Sequence, residues 1–323
     1  DLVCVLQDRT FDNRNQFAYL SGGMMDQMHG LLAAQALVNG QTRFELSLAT
    51  RAYRIRLLNG SNSRVYKLTW DDGTPMRIIA TDGALLEQPV EQQFLTLAPS
   101  QRADVILDLS RHAVGSSVQL RSAPYSSSEI SIDTGGMMGA QAASVPNGAS
   151  MLLMNVKVAR REQVDFRLPA RLAVLGAEWN AVTDAPTRKI ALSFRAGSWT
   201  LGGRTFEMNN ADEDETVRAG STQIWEVTNA GGMMGQQMAH PFHVHGTQFR
   251  VLSRQTAAAE PTPRNSIREG LVDAGWRDTV LVLPRETLRL QVRFTSYTGL
   301  FLYHCHILEH EDMGMMRNFR VTA

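Results

Sequence analysis

Cysteine is scarce: the 323-residue chain has two, so at most one internal disulfide could contribute to its stability. Charge of one sign is lacking too. Thirty-two basic residues balance thirty-two acidic ones, which removes any electrostatic case for nucleic acid or an anionic membrane as partner. No apolar run approaches the ~20 residues needed to cross a bilayer. No leader pattern precedes the strand-like Leu2-Val3-Cys4-Val5-Leu6, and this abrupt start carries the expectation that the first part of a longer protein is absent. Cysteine usage does not fix the compartment.

Histidine is also sparse, but six of the eight histidines and one of the two cysteines fall in two tight motifs. The first is His240-Pro241-Phe242-His243-Val244-His245-Gly246; the second runs from His304-Cys305-His306 through His310 to Met315-Met316. The aromatic and apolar Phe301-Leu302-Tyr303 reads as a strand. Continued through His306, alternation places His304 and His306 on one face and Cys305 on the other. One short segment can then bind metal on two sides. Cys305, His310 and Met315 supply a thiolate, an imidazole and a weak thioether, the donors of a blue copper site short of one imidazole. That imidazole is available upstream, where His243 and His245 share a strand face and His240 precedes a proline at which the chain is expected to turn.

The remainder reads as all-β. Short alternating runs at 43–48, 53–58, 65–70, 76–80, 94–97, 103–109 and 117–120 are punctuated by Asn59-Gly60, Asp71-Asp72-Gly73 and Asp82-Gly83, and 151–158 closes the set. Strands at such spacing predict a β-sandwich over residues 1–157, with no metal-ligand set; His29 and His112 read as isolated, structural or solvated. Residues 158–188 lose the alternation and read as an interdomain connection. A second β-rich domain is predicted over 189–323, with runs at 189–194, 223–228, 249–252, 279–283, 288–294, 301–303 and 318–321.

At HPFHVHG (240–246) and HCHILEHEDMGMM (304–316) the chain resembles the multicopper oxidases: laccases, bilirubin oxidases and bacterial cuprous oxidases. YRIRLLNGSNSR (53–64), IIATDGALLEQPV (78–90), LAPSQRADVILDL (97–109) and GWRDTVLV (275–282) extend the resemblance over almost the whole chain, less specifically. It implies two cupredoxin-like Greek-key sandwiches and an oxidase coupling one-electron oxidation of phenols, aromatic amines or Cu(I) to four-electron reduction of O2 to water. It implies type 1 copper on His240, Cys305, His310 and Met315. It assigns His243 to type 2 copper and His245, His304 and His306 to the binuclear type 3 pair, with Glu311 feeding protons. Export to a periplasm or the cell exterior is implied as well.

The family holds its cluster with eight histidines, four of them from two His-x-His motifs in a first domain, and neither motif occurs here. The chain therefore reads as family domains two and three, needing a first domain supplied elsewhere. A blue copper electron-transfer module without O2 reduction is the alternative, and a relative that has lost copper the third reading. If Cys305 is a thiolate ligand, Cys4 is left as a small buried hydrophobe or as half of a disulfide to an absent segment. Gly-Gly-Met-Met occurs at 22–25, 135–138 and 231–234, either as a cuprous-ion site or as Gly-rich loops whose methionines cover apolar surface.

Overall fold

A computed structural model of the chain describes all residues except 133–144, 183, 233–236, 258–264 and 296. Its strands form four large sheets, paired face to face as two sandwiches. In the first, a six-stranded sheet runs in the order Gln35–Val38, Leu2–Arg9, Ala52–Asn59, Arg102–Asp108, Met76–Ala80, Leu85–Gln92. Opposite it lies a five-stranded sheet of Phe44–Ala49, Met151–Arg160, Ser117–Ser122, Tyr66–Trp70 and Leu95–Leu97. Alternation explains the packing. In Ala52–Asn59 the inward residues Tyr53, Ile55 and Leu57 are buried, and Tyr66, Leu68 and Trp70 face them from the other sheet. Cys4 belongs to this core; it is a free thiol that burial pushes up to about 11, a small apolar residue rather than a reactive one.

The second sandwich carries the motifs. One sheet runs Ser198–Leu201, Thr187–Arg195, Thr222–Gly232, Glu286–Arg293, Phe249–Thr256, the other Thr216–Arg218, Met316–Thr322, Gly299–Cys305, His240–Val244, Thr279–Val282. Both histidine motifs thus lie side by side in one sheet, with Phe242 opposite Cys305 and His243 opposite His304. The expected turn at Pro241 does not occur: His240 and Pro241 pair with Val282 and Leu281 inside a strand. The proline restricts the residue before it to extended backbone, which a strand already provides. All-β architecture holds, with short helices at Met24–His29, Ser266–Glu269 and Leu308–Asp312.

The segment expected as a connection is shorter at both ends. Val158, Ala159 and Arg160 complete one strand, and Thr187 and Arg188 begin the next. Beyond it, the halves are joined by the two-stranded pairing of Ser131–Ile132 with Gln237–Met238 and by side-chain bonds such as Thr96 Oγ1 to the carbonyl of Ile267. No helix among the described residues is long and apolar enough to cross a membrane.

Candidate metal centres

Two groups of donor atoms stand on opposite faces of the strand that ends at Cys305. On the core side, ligand atoms of His240, Cys305 and His310 all lie within 4.8 Å of one another, and all three residues are buried. Cys305 Sγ is 3.4 Å from His240 Nδ1 and 3.7 Å from His310 Nδ1. On the other side His243, His245 and His304 converge to the same limit. The His306 ring stands beside them, its centroid 5.6 Å from that of His243 and 5.3 Å from that of His304.

Hydrogen bonds fix which imidazole nitrogens are free. A carbonyl oxygen only accepts, so a ring nitrogen against one must carry the proton. His310 Nε2 faces the carbonyl of Met28 at 3.1 Å, leaving Nδ1 unprotonated toward the sulfur. His304 Nδ1 lies 3.0 Å from the carbonyl of Cys305, leaving Nε2 bare, 3.1 Å from His245 Nε2. His243 Nδ1 lies 2.9 Å from the carbonyl of Asp278 and 2.8 Å from Thr279 Oγ1, again leaving Nε2. In these three rings the outward nitrogen is occupied and the inward one presents a lone pair, the arrangement that metal-ligating histidines adopt.

Burial keeps the rings neutral. It pushes His240 and His304 down to about 3 and His306 to about 4, and His310 well below the ordinary histidine value, with neighbouring imidazoles adding to the effect in the last three. The same burial raises the Cys305 thiol far above its usual range, although the backbone N–H of Ile307, 3.5 Å from Sγ, favours the thiolate. A thiol so placed ionises only if a cation replaces its proton. A soft sulfur and two imidazole nitrogens suit a thiophilic transition ion.

Met315 is fully buried beside this group, with its backbone N–H donating to the His310 carbonyl (2.9 Å) and its carbonyl accepting from the Cys305 N–H (3.1 Å). Glu311 lies 3.6 Å from His304 Nδ1, its carboxyl raised by burial and by Asp312. His29 is not isolated as expected. Its short helix packs on Leu308–Asp312, and its charge opposes protonation of His310. His112 is tied to Asp72 at 2.8 Å. Of the Gly-Gly-Met-Met repeats, 135–138 and the methionines of 231–234 lie outside the described residues. In the first, Met24 is exposed.

Sequence reasoning missed the residues that orient the donors. Asp278 Oδ1 is 3.5 Å from His243 Nδ1, and Arg102, from the first sandwich, grips both Asp278 oxygens at 2.7 and 2.6 Å. Their motifs were legible, but no spacing rule links positions 102 and 278. His243 and His245 open onto a cleft lined by Glu178, Gln248, Trp276, Asp278 and Arg293.

The family model described as multicopper oxidase matches residues 181–323. The multicopper oxidase mco of Staphylococcus haemolyticus is 29% identical over 322 residues, covering 100% of this chain and 59% of that protein. The Bacillus subtilis laccase is 29% identical over 306 residues, 88% of this chain and 54% of its own length. The McoA multicopper oxidase of Aquifex aeolicus superposes with a TM-score of 0.79 at 30% identity, covering 99% of this chain and 65% of that one. The chain thus spans little more than half the length of the curated relatives it matches, and what it shares with them includes the strand pair that holds the two donor groups. By fold, motifs and sequence, residues 181–323 belong to the multicopper oxidase family, and the likeness to its members extends over the rest of the chain.

Proposed function

We propose that this chain is the copper-binding C-terminal part of an oxidase that couples one-electron oxidation of a small reductant to four-electron reduction of O2 to water. The reading is carried by one observation: His304, Cys305 and His306 are consecutive, yet Cys305 points into a buried thiolate–imidazole set while its neighbours join a histidine cluster on the other face. Copper, when bound, supplies one-electron redox chemistry at both places. In this reading His240, Cys305, His310 and Met315 hold type 1 copper. His243 serves type 2 copper, and His245, His304 and His306 serve the type 3 pair.

The protein's own part is positional. The backbone of Cys305 joins the two donor groups covalently, so that no through-space gap separates them. Carbonyls of Met28, Cys305 and Asp278 hold the ring tautomers that leave lone pairs inward. Glu311 keeps a carboxyl proton to higher pH than usual at the edge of His304, where protons are consumed in making water.

The chain offers four imidazoles to a cluster the family builds from eight. The two sandwiches, whose strands span Leu2–Arg160 and Thr187–Thr322, therefore stand as family domains two and three. A first cupredoxin domain with two His-x-His motifs closes the cleft in front of His243 and His245, in a periplasm or outside the cell.

Metal analysis with an oxygen electrode tests this. The chain alone should retain one tightly held copper and consume no O2 with a phenolic or Cu(I) reductant. Adding a polypeptide with the two motifs should raise copper to four and start O2 uptake. Four coppers and steady uptake by the chain alone would contradict the divided cluster. One copper with no uptake even after addition would favour the electron-transfer module.

A further inference from the structure

We infer that Trp199 is a positioning residue of the buried sulfur-containing donor set, fixing the ring planes of His310 and His240 relative to Cys305; this rests on the proposal that copper binds there. Trp199 lies on Ser198–Leu201, the edge strand of the sheet facing the histidine motifs, and its side chain turns inward to 7% exposure. Its indole stacks on His310 with centroids 4.1 Å apart and planes 28° apart, and meets His240 edge-on at 5.1 Å and 72°. Phe194, on the neighbouring strand, closes the other approach at 5.0 Å. One ring thus touches both imidazoles of the set.

Two features make this more than core filling. The indole Nε1–H is buried and has no acceptor among the described residues, so packing alone sets the ring's position. An unpaired buried donor is unfavourable, and a phenyl or isobutyl group would occupy much of the space without it. What the indole adds is a rigid, electron-rich face at van der Waals distance from a ligand ring. That face restrains rotation of His310 about its outer bond, of which the Met28 carbonyl holds only one edge. It also favours positive charge on the imidazole, and a bound Cu(II) places more charge there than Cu(I). Indole removal should therefore favour the reduced ion.

The test uses the full chain as wild type, W199F and W199L. Without copper, NMR of the His310 ring protons reports the indole directly. They should lie upfield in the wild type, move partway back in W199F, and lose the ring-current shift in W199L. With copper, W199L should bind Cu(I) relative to Cu(II) several-fold better than wild type and show a displaced charge-transfer band, with W199F between. Identical His310 shifts in wild type and W199L, or an unchanged band and Cu(I)/Cu(II) ratio in W199L, would overturn the inference. If W199L does not fold, W199F decides by the same two readouts. A copper-loaded wild type without a blue band refutes the copper assignment instead, and the metal-free NMR comparison still decides on Trp199.

Discussion

Arg102 of the first sandwich and Asp278 of the second meet in a two-pronged ion pair, Nη1–Oδ1 2.7 Å and Nη2–Oδ2 2.6 Å, and Asp278 in turn faces His243. The guanidinium is the main influence holding the Asp278 carboxyl well below the usual carboxylate range against the opposing effect of burial. A carboxylate fixed this way keeps His243 Nδ1 protonated and its Nε2 free. Replacing Arg102 by Leu should cost ~1.5–3 kcal/mol of stability in urea denaturation, the range for hydrogen bonds to charged groups. It should also weaken metal binding at the histidine cluster by ~10–100-fold, as loss of an outer-shell partner does. Equal metal affinity in R102L and wild type would show that Asp278 holds His243 without help from the first sandwich.

This pair marks the limit of sequence reading here. Period-two alternation found the strands because each has one buried face: the predicted run at 76–80 is the strand Met76–Ala80, and 117–120 is most of Ser117–Ser122. It also placed Cys305 opposite its histidine neighbours, since a strand's faces are fixed by its backbone. Leu85–Gln92 and Ser198–Leu201 were not picked out as strands. The first puts Glu87, Pro89 and Glu91 on one face and two glutamines beside Leu86 and Val90 on the other, and the second is a four-residue edge strand. Local periodicity cannot report that Trp199 reaches His310, or that the Met28 carbonyl comes from a helix some 280 positions away in the chain. The histidine motifs were legible because ligand chemistry demands particular residue types at fixed spacing. The groups that orient them are ordinary residues brought close only by the fold.

Cys305→Ser should abolish the colour of the copper-loaded chain. Charge transfer from a thiolate sulfur to Cu(II) gives the intense visible band, and a serine hydroxyl does not ionise in so buried a place. The metal-free variant should remain folded, since burying a hydroxyl for a thiol costs ~1–3 kcal/mol. A visible spectrum unchanged by the substitution would remove Cys305 from the ligand set.

The metal-free protein should lose stability as pH falls below ordinary histidine values. In the unfolded chain histidine titrates near ~6.5. In the fold His240 and His304 stay neutral down to about 3 and His306 to about 4, with burial the leading cause. Between those limits the unfolded state binds more protons, so stability is fully present above the unfolded value and drains away toward the folded ones. Each such histidine contributes a slope approaching ~1.4 kcal/mol per pH unit. Urea denaturation of the metal-free chain at pH 7, 6 and 5 measures it. A flat profile would mean that these rings gain protons in the native state.

Gly246→Ala should disturb the histidine cluster through the backbone. Gly246 follows His245 with φ +70°, and a Cβ there would lie 2.5 Å from Phe301 Cδ1. Left-handed backbone disfavours a side chain and the aromatic ring blocks the space, together worth ~1–3 kcal/mol. Thermal unfolding should show the loss, and metal binding by the histidine cluster should weaken while the blue site, on the other face of the sheet, keeps its spectrum. Loss of the blue band instead would show that the two faces cannot be perturbed separately.

Met315→Leu should raise the reduction potential of the proposed blue copper site. Met315 is wholly buried, and its backbone is pinned between the His310 carbonyl and the Cys305 N–H, so its Cα stays where the fold puts it whatever the side chain. Leucine is close to methionine in volume, and such exchanges in a core cost less than ~1.5 kcal/mol. The substitution therefore removes the thioether with little else. A thioether donates weakly, and donation stabilises the more electron-poor Cu(II) over Cu(I); without it the reduced ion is favoured and the potential climbs. A redox titration followed at the blue band reads the shift directly. The same titration of Met316→Leu is the control, because Met316 is the neighbouring residue and pairs with His304 in the adjoining strand. A rise in M315L that M316L does not show assigns the axial position to Met315. No rise in M315L would mean that its sulfur, though buried beside the set, lies out of reach of the metal.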